Sequence, residues 1–200
     1  MRHFLFVPIL LFSLGAAAQT QTGRWDVSVS AGPAIPFGSF AKTSTTNANS
    51  QYALTGWDAQ VQVNYKIITG INLSFLVGHQ DNGFDNGQLY PPTNYSSYSS
   101  WRVMVGPSFR WFPGDQQKWA FTARILGGAQ WSGSNEYQGF GDAPFTFQTG
   151  VGVQYNLTKR WYLTATGDIV TAKYKRTVNE STLTGPRSSI NTGIGIGVSL

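Results

Sequence analysis

The chain has 200 residues, enough for one domain, and no cysteine, which excludes disulfides and thiolate metal sites. Only 12% of residues are charged and 41% are hydrophobic, with 23 glycines, a balance unlike that of a disordered chain. The formal charge of +5 comes from dispersed arginines and lysines, which excludes a basic stripe for nucleic acid.

Met1 to Ala18 read as a secretory leader: Arg2 and His3 form a positive start, Phe4 to Leu14 an apolar core, and Ala16, Ala17 and Ala18 a small-residue cleavage site. Cleavage is expected near Ala18, giving a leader over 1–18 and one domain over 19–200. No acylatable cysteine follows, so a lipoprotein is not expected. No later segment is an unbroken apolar run of helical spanning length, so an exported form of this chain crosses a membrane only as a closed barrel.

Strand-like alternation begins at Arg24 to Gly32, with Trp25, Val27, Val29 and Ala31 on one face and Asp26, Ser28, Ser30 and Gly32 on the other. Gly38 to Thr55, rich in Ser, Thr and Asn, reads as a loop. Gly56 to Lys66 sets Trp57, Ala59, Val61, Val63 and Tyr65 against Asp58, Gln60, Gln62 and Asn64. After a turn at Ile68-Thr69-Gly70, a third strand carries Ile71, Leu73, Phe75 and Val77 outward, and Gln80 to Ser99 reads as a second loop. Trp101 to Trp111 gives the clearest pattern. Trp101, Val103, Val105, Pro107, Phe109 and Trp111 share one face; Arg102, Met104, Gly106, Ser108 and Arg110 share the other.

Trp119 to Trp131 repeats that pattern after a turn at Pro113-Gly114-Asp115, with Arg124 on the polar face. Ser132 to Pro144 reads as a loop, Phe145 to Asn156 as a sixth strand, and Trp161 to Ala172 as a seventh, with Asp168 on its polar side. Lys173 to Arg187 reads as a fourth long loop before a last strand alternating Ile190, Ile194, Ile196 and Val198 with glycines.

Indoles and phenols bracket apolar centres, as on a wall that touches lipid with a girdle at each interface: Trp25, Trp57, Tyr65, Trp101, Trp111, Trp119, Trp131, Tyr155 and Trp161. Ten strand steps of ~3.3 Å, tilted by ~40°, rise ~25 Å, the height of an outer-membrane apolar band. The connections alternate long and short, the layout of an antiparallel up-and-down barrel of eight strands with long loops at one end. The polar faces then bring three acids, Asp26, Asp58 and Asp168, and three bases, Arg102, Arg110 and Arg124, into one lumen. A barrel this small is filled by its own side chains, and charges inside must pair. Pro107 cannot donate to a ladder, so a bulge or an unpaired position is expected there. In a soluble barrel the sidedness reverses, and Trp101, Val103, Val105 and Phe109 point inward.

These features resemble the small eight-stranded outer-membrane β-barrel family, the OmpA-barrel/OmpX-like group within the outer membrane protein β-barrel domain or porin family. The end of the chain carries the most local likeness: Gly195, Val198 and Leu200 resemble the C-terminal signal read by the barrel assembly machinery. The resemblance implies the outer membrane of a Gram-negative bacterium, contact with outer-membrane lipid, and handling by the assembly machinery during biogenesis. From the residues themselves no catalytic residue, cofactor or metal is expected, and with the chain stopping at Leu200 no peptidoglycan-binding domain is expected to follow. A non-catalytic monomer with an envelope-structural or surface-interaction role, its partners reached through the four loops, is the expectation; a narrow pore for ions or small solutes is the alternative. A lipid-modifying enzyme comes third. His79 is the histidine left after leader removal, it sits at a loop border on lipid-facing parity, and Gln80-Asp81 follow it where a lipid A deacylase carries His-x-Ser.

Overall fold

The computed structural model describes residues 24–41, 53–84, 97–113, 117–132, 145–178 and 181–200. The leader assignment and most loop tips, including Tyr90, Tyr95, Tyr137 and Phe140, lie outside the described residues.

Eight antiparallel strands, each paired to its neighbour in sequence, close into a barrel through β1 and β8. They are β1 (Trp25–Phe37), β2 (Ala53–Ile68), β3 (Ile71–Phe84), β4 (Ser97–Trp111), β5 (Trp119–Ser132), β6 (Phe145–Asn156), β7 (Trp161–Val178) and β8 (Ser181–Ser199). Short connections join β2 to β3, β4 to β5 and β6 to β7 at the end that also holds both ends of the domain. The sidedness is that of a membrane wall. Trp101, Val103, Val105 and Phe109 are 45%, 47%, 44% and 43% exposed, while Arg102, Met104 and Ser108 on the alternate face are buried.

Several strand limits differ from those the alternation gave. β1 continues to Phe37, β2 starts at Ala53, β3 continues to Phe84 and β4 starts at Ser97. The largest correction is at Lys173 to Arg187, which is not a loop. β7 and β8 stay paired from Ala172↔Arg187 out to Val178↔Ser181, so this stretch is a long hairpin. The reason is physical: alternation marks a strand only where one face meets lipid. Backbone pairing needs no such pattern, and it goes on beyond the stretch that shows it.

The prolines sit where no ladder donor is needed. β4 pairs with β5 at Val105↔Gly127 and again at Ser108↔Arg124, in the same register, with no pair at Gly106 or Pro107. Pro107 is therefore unpaired on its β5 side, with no bulge, and stays in register with Leu73 of β3 on the other. β1 repeats the device: its pairing to β8 stops at Ala31↔Ile194 and resumes in register at Ala34↔Asn191, skipping Gly32-Pro33. The strands close in tightly at both steps. A Cβ on Gly106 would lie 2.2 Å from the Ile125 carbonyl oxygen, and one on Gly32 would lie 2.0 Å from that of Thr192. Only glycine fits, and its absent side chain lets the wall coil there.

Candidate functional site: the barrel interior

The inward face brings the six predicted charges together as three ion pairs. Arg102 on β4 reaches Asp58 on β2 with two bonds, Nη1 to Oδ1 at 2.6 Å and Nη2 to Oδ2 at 2.9 Å. Arg124 on β5 reaches Asp168 on β7 in the same two-pronged way, Nε to Oδ1 at 2.7 Å and Nη2 to Oδ2 at 2.5 Å. Arg110 meets Asp26 at 2.8 Å across the barrel from β4 to β1, and the Ser199 hydroxyl donates to the same carboxylate. Such fork-to-carboxylate pairs are the geometry in which a buried guanidinium is best satisfied.

Two of these pairs reach over an intervening strand, and glycine makes that possible. Gly150 on β6 lies between Arg124 and Asp168, facing both in register. A Cβ there would lie 1.9 Å from Asp168 Oδ1. Gly78 on β3 plays the same part for Arg102, whose Cζ would lie 2.7 Å from an added Cβ. Gly197 on β8 is covered by the Tyr162 ring, itself 6.0 Å from the Arg110 guanidinium carbon.

Amides fill the space around the pairs. Gln148 Oε1 accepts from Arg102 Nε at 3.2 Å, Gln60 Oε1 accepts from Arg102 Nη2 at 3.3 Å, and Gln62 Oε1 accepts from Arg124 Nη1. Towards the long-loop end, Gln80 accepts from Asn191 at 3.1 Å and from Ser189 at 3.3 Å, and donates to Asn82. Between the Arg102 and Arg124 pairs lies an apolar cluster, Leu76, Met104 and Leu126, all fully buried. A cavity of about 40 Å³ remains near the short-turn end, bordered by Arg110, Arg124, Asn64, Gln154 and Tyr162. That is room for a few waters, at roughly 10–15 Å³ each. Arg110 and Thr166 line this cavity, and Arg110 Nε and Thr166 Oγ1 have no hydrogen-bond partner among the described residues.

The long-loop end carries a lid that alternation did not reveal. Phe40, in the turn after β1, is fully buried and stacks under the Arg187 guanidinium at 4.7 Å, and the Tyr98 ring, edge-on to Phe40, lies 5.5 Å from the same guanidinium. Ala53 N donates to Phe40 O at 3.0 Å and the Ser39 hydroxyl donates to Pro186 O at 2.9 Å, which pins the turn over the mouth. Arg187, assigned from sequence to a loop, is a buried residue of β8. The available signal was parity: Arg187 continues the inward series of Ser189 and Asn191.

The aromatic residues separate into two belts. Trp25 and Tyr65 pack at 4.7 Å, Trp119 and Tyr155 at 4.7 Å, and Trp111 stacks on Phe121 at 5.8 Å, all with Trp161 at the short-turn end. Trp57 and Trp101 stand at the long-loop end, and Trp101 pairs with Trp131. His79 lies between Trp57 and Trp101 with ring centroids 5.0 Å and 4.6 Å away. It is a mid-strand residue of the outer wall and no loop-border residue, because β3 runs on to Phe84. Its Nδ1 is buried and has no hydrogen-bond partner among the described residues. Gly195, Val198 and Leu200 lie along the closing seam: Val198 pairs with Val27, and Leu200 N donates to Trp25 O at 2.7 Å. Among the described residues, no group of His, Cys, Asp or Glu is placed to hold a metal.

Comparison with known proteins places this geometry. The family described as outer membrane protein beta-barrel domain matches residues 4–200, and the chain belongs to it. No curated protein matches the chain significantly. Among solved structures, neisserial surface protein A is similar with a TM-score of 0.56 and 14% identity, over 90% of this chain and 99% of that one. OprG of Pseudomonas aeruginosa gives 0.56 and 9% identity, over 90% and 97%. The outer membrane protein AlkL, solved by solid-state NMR in lipid bilayers, gives 0.51 and 11%, over 92% of both chains. At these identities the likeness is one of fold.

Proposed function

We propose that this member of the outer-membrane barrel family is a non-catalytic, non-conducting barrel that holds its loops at the cell surface and braces the envelope. It works as a monomer, its leader removed near Ala18, its wall in contact with outer-membrane lipid. The end of β8, with Gly195, Val198 and Leu200, is read by the assembly machinery during insertion. Partners are met through the long-loop end. The observation that carries the reading is the interior. Among the described residues it is crossed by three ion pairs, the Leu76–Met104–Leu126 cluster and the Phe40–Arg187–Tyr98 lid, and the cavity near the short-turn end holds about 40 Å³. An ion stripped to pass such a barrier meets fixed charges already neutralised by each other, and a dry apolar step between them. His79, wedged between two indoles, supports the absence of acid–base chemistry.

The test is conductance of the purified barrel in planar lipid bilayers. No steady current is expected from the wild-type chain, and none from Arg124→Ala while the apolar cluster and the lid remain. A stable open level that Arg124→Ala alters would replace this reading with a narrow pore.

A further inference from the structure

Near the short-turn end the lipid-facing wall is not smooth. Ala123 on β5 and Ala165 on β7 point outward among Phe109, Phe121, Val151 and Val153, and the difference in side-chain size leaves a groove of about 540 Å³. Its floor reaches the backbone at Gly152. Val151 stands 68% exposed along it, and the Trp111–Phe121 stack closes one side. Directly below lies the Trp119–Tyr155 pair, and below that the rim. There, Asn156 N donates to Lys118 O at 2.8 Å, which holds the β4–β5 turn against the β6–β7 turn. Lys118 at that contact and Lys159 and Arg160 in the β6–β7 turn are all exposed, with the Arg160 carbonyl accepting from Ser199 N at 2.7 Å on the β8 side of the turn. The described acid at this end, Asp26, points inward and is neutralised by Arg110.

From apolar groove to aromatic pair to cationic rim, the order of chemistry matches one molecule: acyl chain, glycerol ester, phosphate. We infer that β4 to β7 carry a binding site for an anionic glycerophospholipid of the leaflet facing the short turns. The chain lies in the Ala123–Ala165 groove and the phosphate sits on Lys118, Lys159 and Arg160. The charge is complementary and the groove is apolar, so the two parts of the ligand are recognised independently. This site rests on the membrane orientation proposed above and goes beyond it, since a barrel can sit in lipid without holding any one lipid.

Native mass spectrometry of the folded barrel, given equal phosphatidylglycerol and phosphatidylcholine with matched chains, tests it. The wild-type protein is expected to retain phosphatidylglycerol preferentially. Lys118→Gln and Arg160→Gln each lower that preference, roughly fivefold per cation removed. Ala165→Trp, which fills the groove, lowers retention of both lipids. Arg24→Gln with Lys66→Gln, on the β1–β2 side of the rim, leaves the preference unchanged. Equal retention of the two lipids by the wild type overturns the site, as does loss of preference in the Arg24/Lys66 pair to the same degree. Either result leaves the membrane reading standing. A chain that fails to insert into either lipid overturns the membrane reading, and the site with it.

Discussion

Asp168 occupies the volume that any side chain at residue 150 would need. Gly150→Ala puts a methyl carbon 1.9 Å from Oδ1 of a carboxylate held by two bonds from Arg124, so the pair must shift or break. Overpacking of this kind costs about 1–3 kcal/mol. Gly167 is a matched control on the next strand, because an added Cβ there touches nothing within 4 Å. Urea unfolding in lipid vesicles is expected to show Gly150→Ala destabilised by about that amount and Gly167→Ala within about 0.5 kcal/mol of wild type. Equal effects at the two positions would show that Gly150 serves backbone coiling rather than the ion pair. At this scale the sequence was informative about which residues turn inward and silent about which acid meets which base. Parity places Arg124 and Asp168 in one lumen. It does not disclose that the pair bridges a strand, since that depends on the register between β5, β6 and β7.

Single strands show where legibility ends. The membrane-crossing part of each was readable because lipid on one side and packed polar groups on the other impose a period of two. The extensions were not: the composition of Lys173 to Arg187 predicts a loop, and Arg187 is buried in β8. Pro107 and Pro33 posed the opposite problem: a residue hostile to ladders inside clear strands. Their shared answer, a Gly-Pro step with two pairs omitted and register kept, puts the demand on the glycine. A side chain at Gly106 would collide with backbone rather than with a flexible tip, so the neighbouring strand has no cheap way to yield. Gly106→Ala is expected to cost more than Gly150→Ala, about 2–3 kcal/mol in the same unfolding assay. Pro107→Ala adds a donor where no pairing was made and should change stability little. If Gly106→Ala proves silent, the close approach of β4 and β5 is not what requires glycine.

Across the whole molecule, side chains tie together strands that are not neighbours in the sheet. Arg110 joins β4 to β1, Arg102 joins β4 to β2 and β6, Arg124 joins β5 to β7 and β2, and Gln80 joins β3 to β8. Every strand is thus held twice, by its ladders and through the lumen. Loss of one member of a buried pair leaves the other charge unmatched, at about 3–5 kcal/mol. Arg124→Ala is expected to lower stability by that much while tryptophan fluorescence and far-UV circular dichroism still report one coincident transition. Two separated transitions would mean that the halves of the barrel unfold independently. The Gly32-Pro33 step has its own consequence at this scale. It removes two rungs from the line where the first strand meets the last, the one joint whose two sides come from opposite ends of the chain. A zip fastener with missing teeth parts at the gap, so a pull on either terminus should open the cylinder along that joint before any hairpin gives way.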